Sequence, residues 1–256
     1  MSSHAVLTLQ LAGPLQSWGA SARFTRRTTE PSPTKSGVIG LLASALGRSR
    51  DSDITDLAQL RFGVRVDQAG SRLRDFHTAH HPDTGTSMPV SERFYLTDAV
   101  FVAAVEGDPQ LLADLHQALH HPHYLPYLGR RSCPPSRPIP LKLHPNSELE
   151  QVLTDEPWRA SPWYQRRRRH ERDIPLRLLT EAGPTTGHDP TAALHPVGDT
   201  VRDQPLTFSP RHRQYALRTL HTTTVTAHNP AARPARSAAA PAPAHDVTGH
   251  LTEVTD

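Results

Sequence analysis

An α+β fold, with the strand–helix–strand–strand–helix–strand order of a ferredoxin-like (RRM-like) domain, is predicted by three features of this sequence. Alternating apolar residues mark strands at residues 6–11, at RFGVRVD (61–67) and in the β-prone run DAVFVAAVEG (98–107). Two stretches with apolar residues at helical spacing lie between and after them. A Gly- and Pro-containing loop, YLPYLGRRSCPPSRPIP (124–140), then leads toward a fourth strand. The open sheet face of such a domain is a common platform for RNA.

The elements follow in order. Leu7, Leu9 and Leu11 point one way and Val6, Thr8 and Gln10 the other, which predicts a half-buried strand. GPLQSWG (13–19) is a loop. Val38, Leu41, Leu42 and Ala45 then fall at i, i+3, i+4 and i+7, with Ser36 as the expected N-cap and Gly47 as the stop. Phe62, Val64 and Val66 face inward from the second strand. Residues 70–96 are polar and too long for a plain connection, so they are read as an extended hairpin arm. Asp108 as N-cap, Pro109 at the first turn, and Leu111, Leu112, Leu115, Ala118 and Leu119 specify the second helix. Residues 1–145 thus form one domain. Residues 146–227, with strands expected at IPLRLLTE (174–181) and QYALRTLHTTTVTA (214–227), form a smaller β-rich part. Residues 228–256 are too poor in large apolar residues to fold alone and are read as a disordered tail.

Bulk properties narrow the function. Formal net charge is only +3, yet arginines cluster at Arg23, Arg26 and Arg27, at Arg130 and Arg131, and at Arg166 to Arg169. Clustered arginine on a nearly neutral chain points to a local polyanion site. A single cysteine, Cys133, excludes an internal disulfide framework and a cysteine-based zinc site, and fits a reducing cytoplasm. No apolar run approaches the roughly 20 residues of a membrane span, and the N-terminus lacks the basic region of a signal peptide. A cytoplasmic protein with no membrane contact is expected.

PTKSGVIGLL (33–42) looks at first like the end of a phosphate-binding loop. A P-loop, however, needs glycines before the lysine to form its anion nest, and TTEPSPT supplies two prolines and none. What remains is a helix N-terminus with free N–H groups beside Lys35, Ser36 and Gly37, suited to a single phosphate. SWGASARFTRR (17–27) interleaves Arg23, Arg26 and Arg27 with Trp18 and Phe24, a pairing of phosphate forks and base-stacking rings. LGRRSCPPS (128–136) offers Arg130, Arg131 and Ser132 on a loop where glycine permits close approach; Cys133 reads as a small buried residue. YQRRRRHERD (164–173) reads as a solvated face with non-specific attraction for nucleic acid. Histidines number 17 and fall in loops without a metal-ligand pattern, so neither metal nor cofactor is expected.

Taken in order, GPLQSWG, SARFTRR, PTKSGVIGLLASALGR, RFGVRVDQAG, LRDFHTA, SERFYLTDAVFVAAVEG and YLGRRSCPPSRPI resemble the CasD family. These are RAMP-superfamily subunits of the type I-E CRISPR surveillance complex, Cascade. The resemblance runs over residues 6–140. It implies a ferredoxin-like RAMP domain with a β-hairpin thumb, placed by position at 70–96, where Arg72, Arg74 and His77 near the base would meet phosphates. It implies a non-catalytic subunit in antiviral defence that caps the 5′ handle of the crRNA. Its partners would be the large subunit and the backbone RAMP subunits, with target DNA met indirectly through the complex. An alternative reading is a metal-independent endoribonuclease that processes precursor RNA, with His77 or Tyr95 as acid or base and Lys35 stabilising the phosphorane.

Overall fold

The computed structural model describes residues 4–19, 26–181 and 198–233. The first half runs β1 (Ala5–Ala12), β2 (Leu15–Gln16), β3 (Arg26–Arg27), α1 (Lys35–Ala45), α2 (Thr55–Ala58) and β4 (Arg61–Gln68). An arm of β5 (Ser71–His77) and β6 (Ser91–Thr97) follows, then β7 (Val100–Gly107), α3 (Pro109–His120) and β8 (Pro140–Pro145). The second half adds α4 (Leu149–Asp155), α5 (Pro162–Arg167), β9 (Asp173–Glu181), β10 (Asp199–Thr207) and β11 (Gln214–His228). The main sheet has the order β10-β11-β9-β4-β7-β1-β8, every neighbouring pair antiparallel. A second, small sheet joins β2, β3 and β5 to β6.

Strand β1 is buried along its whole length, not on alternate residues as the sequence suggests. Both sheet faces are covered. Leu7, Leu9, Leu11, Phe101 and Ala103 pack with α1 and α3, while Val6, Val102 and Ala104 pack with α4. The polar residues of the α4 face are satisfied in place: the Thr8 hydroxyl donates to the Lys142 carbonyl (3.1 Å), and the Gln10 amide to that of Arg159 (3.3 Å). Helix α1 begins two residues earlier than its apolar pattern implied, because Thr34, not Ser36, is the N-cap and accepts from the Gly37 N–H (3.2 Å). It stops where expected, at Gly47 with φ 76°. Asp108 caps α3 by accepting from Leu111 N–H (2.9 Å).

The division expected at residue 145 is not a structural boundary. β9 pairs with β4 from Gly63↔Thr180 to Val66↔Arg177, so β9, β11 and β10 extend the first-half sheet. The tie is reinforced by Arg65, fully buried on β4. Its guanidinium donates to the Asp67 carboxylate (2.8 and 3.0 Å) and to the carbonyls of Leu153, Glu156 and Pro157. It thereby supplies the donors that the C-terminus of α4 lacks. The tail also begins later than residue 228. β11 runs to His228, and Asn229 is fully buried. Its side chain donates to the carbonyls of Gln165 (3.2 Å), Arg168 (2.9 Å) and Glu171 (3.1 Å). The rest of the expected tail, 234–256, lies outside the described residues.

Asn229→Ala takes the donor from three backbone carbonyls, at about 1–3 kcal/mol for an unsatisfied buried group. We expect Tm to fall by roughly 2–12 °C in a thermal melt, at about 2–4 °C per kcal/mol for this chain length. A chain ended after Ala227 should lose at least as much. An unchanged Tm in both would restore the boundary read from the sequence.

Candidate nucleic-acid interface

The arm is a regular antiparallel ladder from Ser71↔Thr97 to His77↔Ser91, closed near its tip by a bridge between His80 and Ser87. β3 adds to it in parallel, Arg26 beside Glu92 and Arg27 beside Arg93. Side chains alternate across a strand, so this register sorts the charges onto two faces. One carries Arg26, Arg72, Arg74, Phe76, Glu92 and Phe94. Here Arg26 and Arg72 lie over the Phe94 ring at 5.6 and 5.5 Å, and Arg74 lies over Phe76 at 4.7 Å. Glu92 pairs with Arg74 and, at 3.9 Å, with Arg26. Stacking leaves the guanidinium edges beyond the Glu92 pairs to donate to phosphate, while the rings offer a surface to bases. The other face carries Arg27, His77, Arg93 and Tyr95, with Arg130 over the Tyr95 ring at 4.8 Å.

Arg130 fixes this base. Its guanidinium donates to the carbonyls of Phe94 (3.2 Å) and Arg27 (2.8 Å), while Arg72 donates to that of Thr29 (2.9 Å). The loop holding Arg130 is set by Gly129, at φ 84°, where an added Cβ would fall 1.8 Å from the Ser17 carbonyl oxygen. The loop closes through Leu128 N–H to the Cys133 carbonyl (2.7 Å). Cys133 is fully buried, and burial pushes its thiol up. Arg131 and Ser132 are exposed beside it. A groove of about 1890 Å³ runs from Arg27 and Arg130 past Tyr127 and Gly37 to Arg177 and Tyr215.

Several residues expected to meet RNA stand elsewhere. Trp18 is fully buried and is no stacking platform; its indole donates to Gln16 (3.1 Å), and it packs so closely on α1 that a Cβ at Gly37 would come within 2.8 Å of its ring. Lys35 is 3% exposed and Ser36 8%. The Lys35 ammonium donates to Glu181 (3.1 Å) and its backbone N–H to Asp203 (2.8 Å). Burial pulls the Lys35 pKa below the ordinary lysine value, against the opposing pull of Glu181. The anion at the α1 N-terminus is therefore Asp203, a carboxylate of the protein, and not a phosphate. Arg218 completes the cluster, donating to Asp203 (2.9 Å) and lying 3.4 Å from Glu181. Arg23 lies outside the described residues. Phe76 and Phe94, which organise the arginines, escape a reading of the sequence alone; the alternation of SERFYLT against SRLRDFH carries the signal, but only the register pairs them. The arm is also less polar than its composition suggests, with Leu73, Phe76, Met88 and Val90 between 42% and 60% exposed.

Gly129→Ala should cost about 2 kcal/mol or more, from the left-handed φ and the clash with Ser17. Its signature is a lower Tm together with faster proteolysis between residues 26 and 30, as Arg130 loses its seat. A variant as stable and as resistant as the parent would mean that the loop is not fixed in this way.

A family model described as CRISPR-associated protein (Cas_Cas5) matches residues 6–221. The chain is 36% identical over 167 residues to the CRISPR system Cascade subunit CasD of Escherichia coli (strain K12), spanning 57% of this chain and 75% of that one. A solved structure described as a crystal structure of Cas protein superposes with a TM-score of 0.63 at 36% identity, covering 89% of this chain and 97% of that one. A chain from a CRISPR RNA-guided surveillance complex gives a TM-score of 0.69 at 29% identity, covering 87% and 91%. Among the described residues no helix is long and apolar enough to cross a membrane.

Proposed function

Because the chain belongs to the Cas5 family of CRISPR-associated proteins, we propose that it is the type I-E Cascade subunit that grips the 5′ handle of the crRNA. The observation that carries this is the arm base, where Arg26 and Arg72 share the Phe94 ring and Arg74 stacks on Phe76. Single-stranded RNA offers phosphates at the spacing of such forks and unstacked bases for such rings. The first-half elements are read as a ferredoxin-like RAMP core, onto which β9, β11 and β10 extend the sheet; the antiparallel order β8-β1-β7-β4, with α1 and α3 as its crossovers, supports that. The arm is the thumb. Its exposed apolar residues give it something to press against RNA or against a backbone subunit. The large subunit is the further partner, target DNA is met through the assembled complex, and the whole works in the cytoplasm in antiviral defence.

We read the subunit as non-catalytic and in need of no cofactor. The nuclease alternative requires His77 or Tyr95 beside a phosphate that Lys35 also reaches. Tyr95 is 5% exposed beneath Arg130, and Lys35 is engaged by Glu181. His77 stands four residues along β5 from the partner of Tyr95, about 13 Å at strand rise. These positions favour binding over cleavage.

Replacing Arg26, Arg27, Arg72 and Arg74 together by alanine should weaken binding of handle RNA more than tenfold. The slope of log K against log salt should flatten by about 0.7 for each phosphate that is no longer neutralised. A variant with parental affinity and slope would remove the arm base from the interface. Repeat RNA incubated with the purified protein in EDTA should stay intact; site-specific cleavage abolished by His77→Ala would establish the nuclease instead.

A further inference from the structure

We propose a second basic surface, between α5 and β9, that binds the phosphate backbone of a nucleic-acid duplex independently of the arm base. Arg166, Arg167, Arg169 and Arg172 are exposed there. Arg168 is not part of the display: it donates to Glu171 (2.8 Å) and lies 6.0 Å over the Trp158 ring. That pair also neutralises Glu171, so Asp173 is the nearest remaining acid in the run. A fifth arginine comes from far along the chain. Arg233 is exposed, and its backbone N–H donates to the Arg169 carbonyl (2.9 Å).

A run of like charges on a free loop spreads apart to lower its repulsion. Here it is held in a tight turn by a buried side chain. Asn229 donates through its amide to three carbonyls of the turn, Gln165, Arg168 and Glu171, and through its backbone N–H to Arg172 (2.8 Å). Every brace reaches backbone, so the side chains of Arg166, Arg167, Arg169 and Arg172 are left to solvent from a fixed backbone. The surface faces away from the groove. Leu176, Leu178 and Ala227 bury the α4 and α5 side of the sheet, whereas Trp18 and Leu179 belong to the α1 side.

The chemistry favours a duplex. A protein interface is built around an apolar core depleted of charge; this surface has one large exposed apolar ring, Trp163, among its arginines. A single strand calls for a series of stacking rings, which the arm base has and this surface lacks. A duplex backbone asks only for fixed cations.

The test compares two variants that each lose four charges. In one, Arg166, Arg167, Arg169 and Arg172 become alanine; none of these side chains braces the fold among the described residues. In the other, Arg26, Arg27, Arg72 and Arg74 do. Affinity for a short mixed-sequence DNA duplex is measured across salt concentrations, with Tm as the check on folding. We expect the first variant to keep its Tm, lose duplex affinity at least tenfold and flatten the salt slope by about 3 to 4 units, while the second keeps both. Parental duplex binding by the first variant overturns the proposal. Equal losses in both variants overturn it too, since net charge alone would then explain the attraction. Parental duplex binding with failure to assemble with the other subunits would reassign the surface to an acidic protein partner.

Discussion

Asp203 lies over the N-terminus of α1, and the molecule is organised around that contact. The helix end presents free N–H groups and a positive dipole; an internal carboxylate from β10 meets them, and Arg218 meets the carboxylate in turn. Lys35 and Glu181 close the cluster from α1 and β9. Such a group of buried charges repays its desolvation only when complete. Removing one member leaves an uncompensated charge and costs several kcal/mol. With α1 pinned from β9 and β10, Trp18 can pack against Gly37, and Trp18 in turn holds the strand bridge to Glu30 that leads out of β3. The arm base inherits its position from that succession of packed groups.

The same packing determines where a polyanion can be met. An open sheet face, the RNA platform suggested by the strand and helix order, does not exist over β1, β4 and β7, because α1 and α3 cover one side and α4 the other. Even the polar residues of β1 are buried and satisfied there. The arginines are therefore displaced to the periphery, onto the arm, the Gly129 loop and the α5 turn. On the arm they are held apart by aromatic rings, which orient them at little entropic cost compared with free side chains.

Much of this is written locally. The alternation of RFGVRVD, the helical spacing from Val38 to Ala45, the Asp-Pro start of α3 and the Gly47 stop each depend on residues a few positions apart, and each element appears where its pattern places it. The arm is legible from length and polarity alone, and the resemblance of residues 6–140 to the CasD family is matched by relatives that extend across most of the chain. The short helices α4 and α5 escape because they span only 7 and 6 residues, less than two turns, too few for a periodicity to register.

By itself the sequence determined the long elements of the first half, their order and the kind of ligand that clustered arginine favours. Tertiary structure alone decided which charges remain available. Lys35 and Arg218 are as basic in the sequence as Arg26 and Arg72, but partners more than a hundred positions away from Lys35, at Glu181 and Asp203, consume the first two, while the arm register sets the others out on phenylalanine. Trp18 likewise passes from candidate base-stacker to core, and Asn229 from tail to brace. The reason is physical: secondary structure follows from neighbours along the chain, whereas burial and charge pairing depend on residues that only the closed sheet brings together.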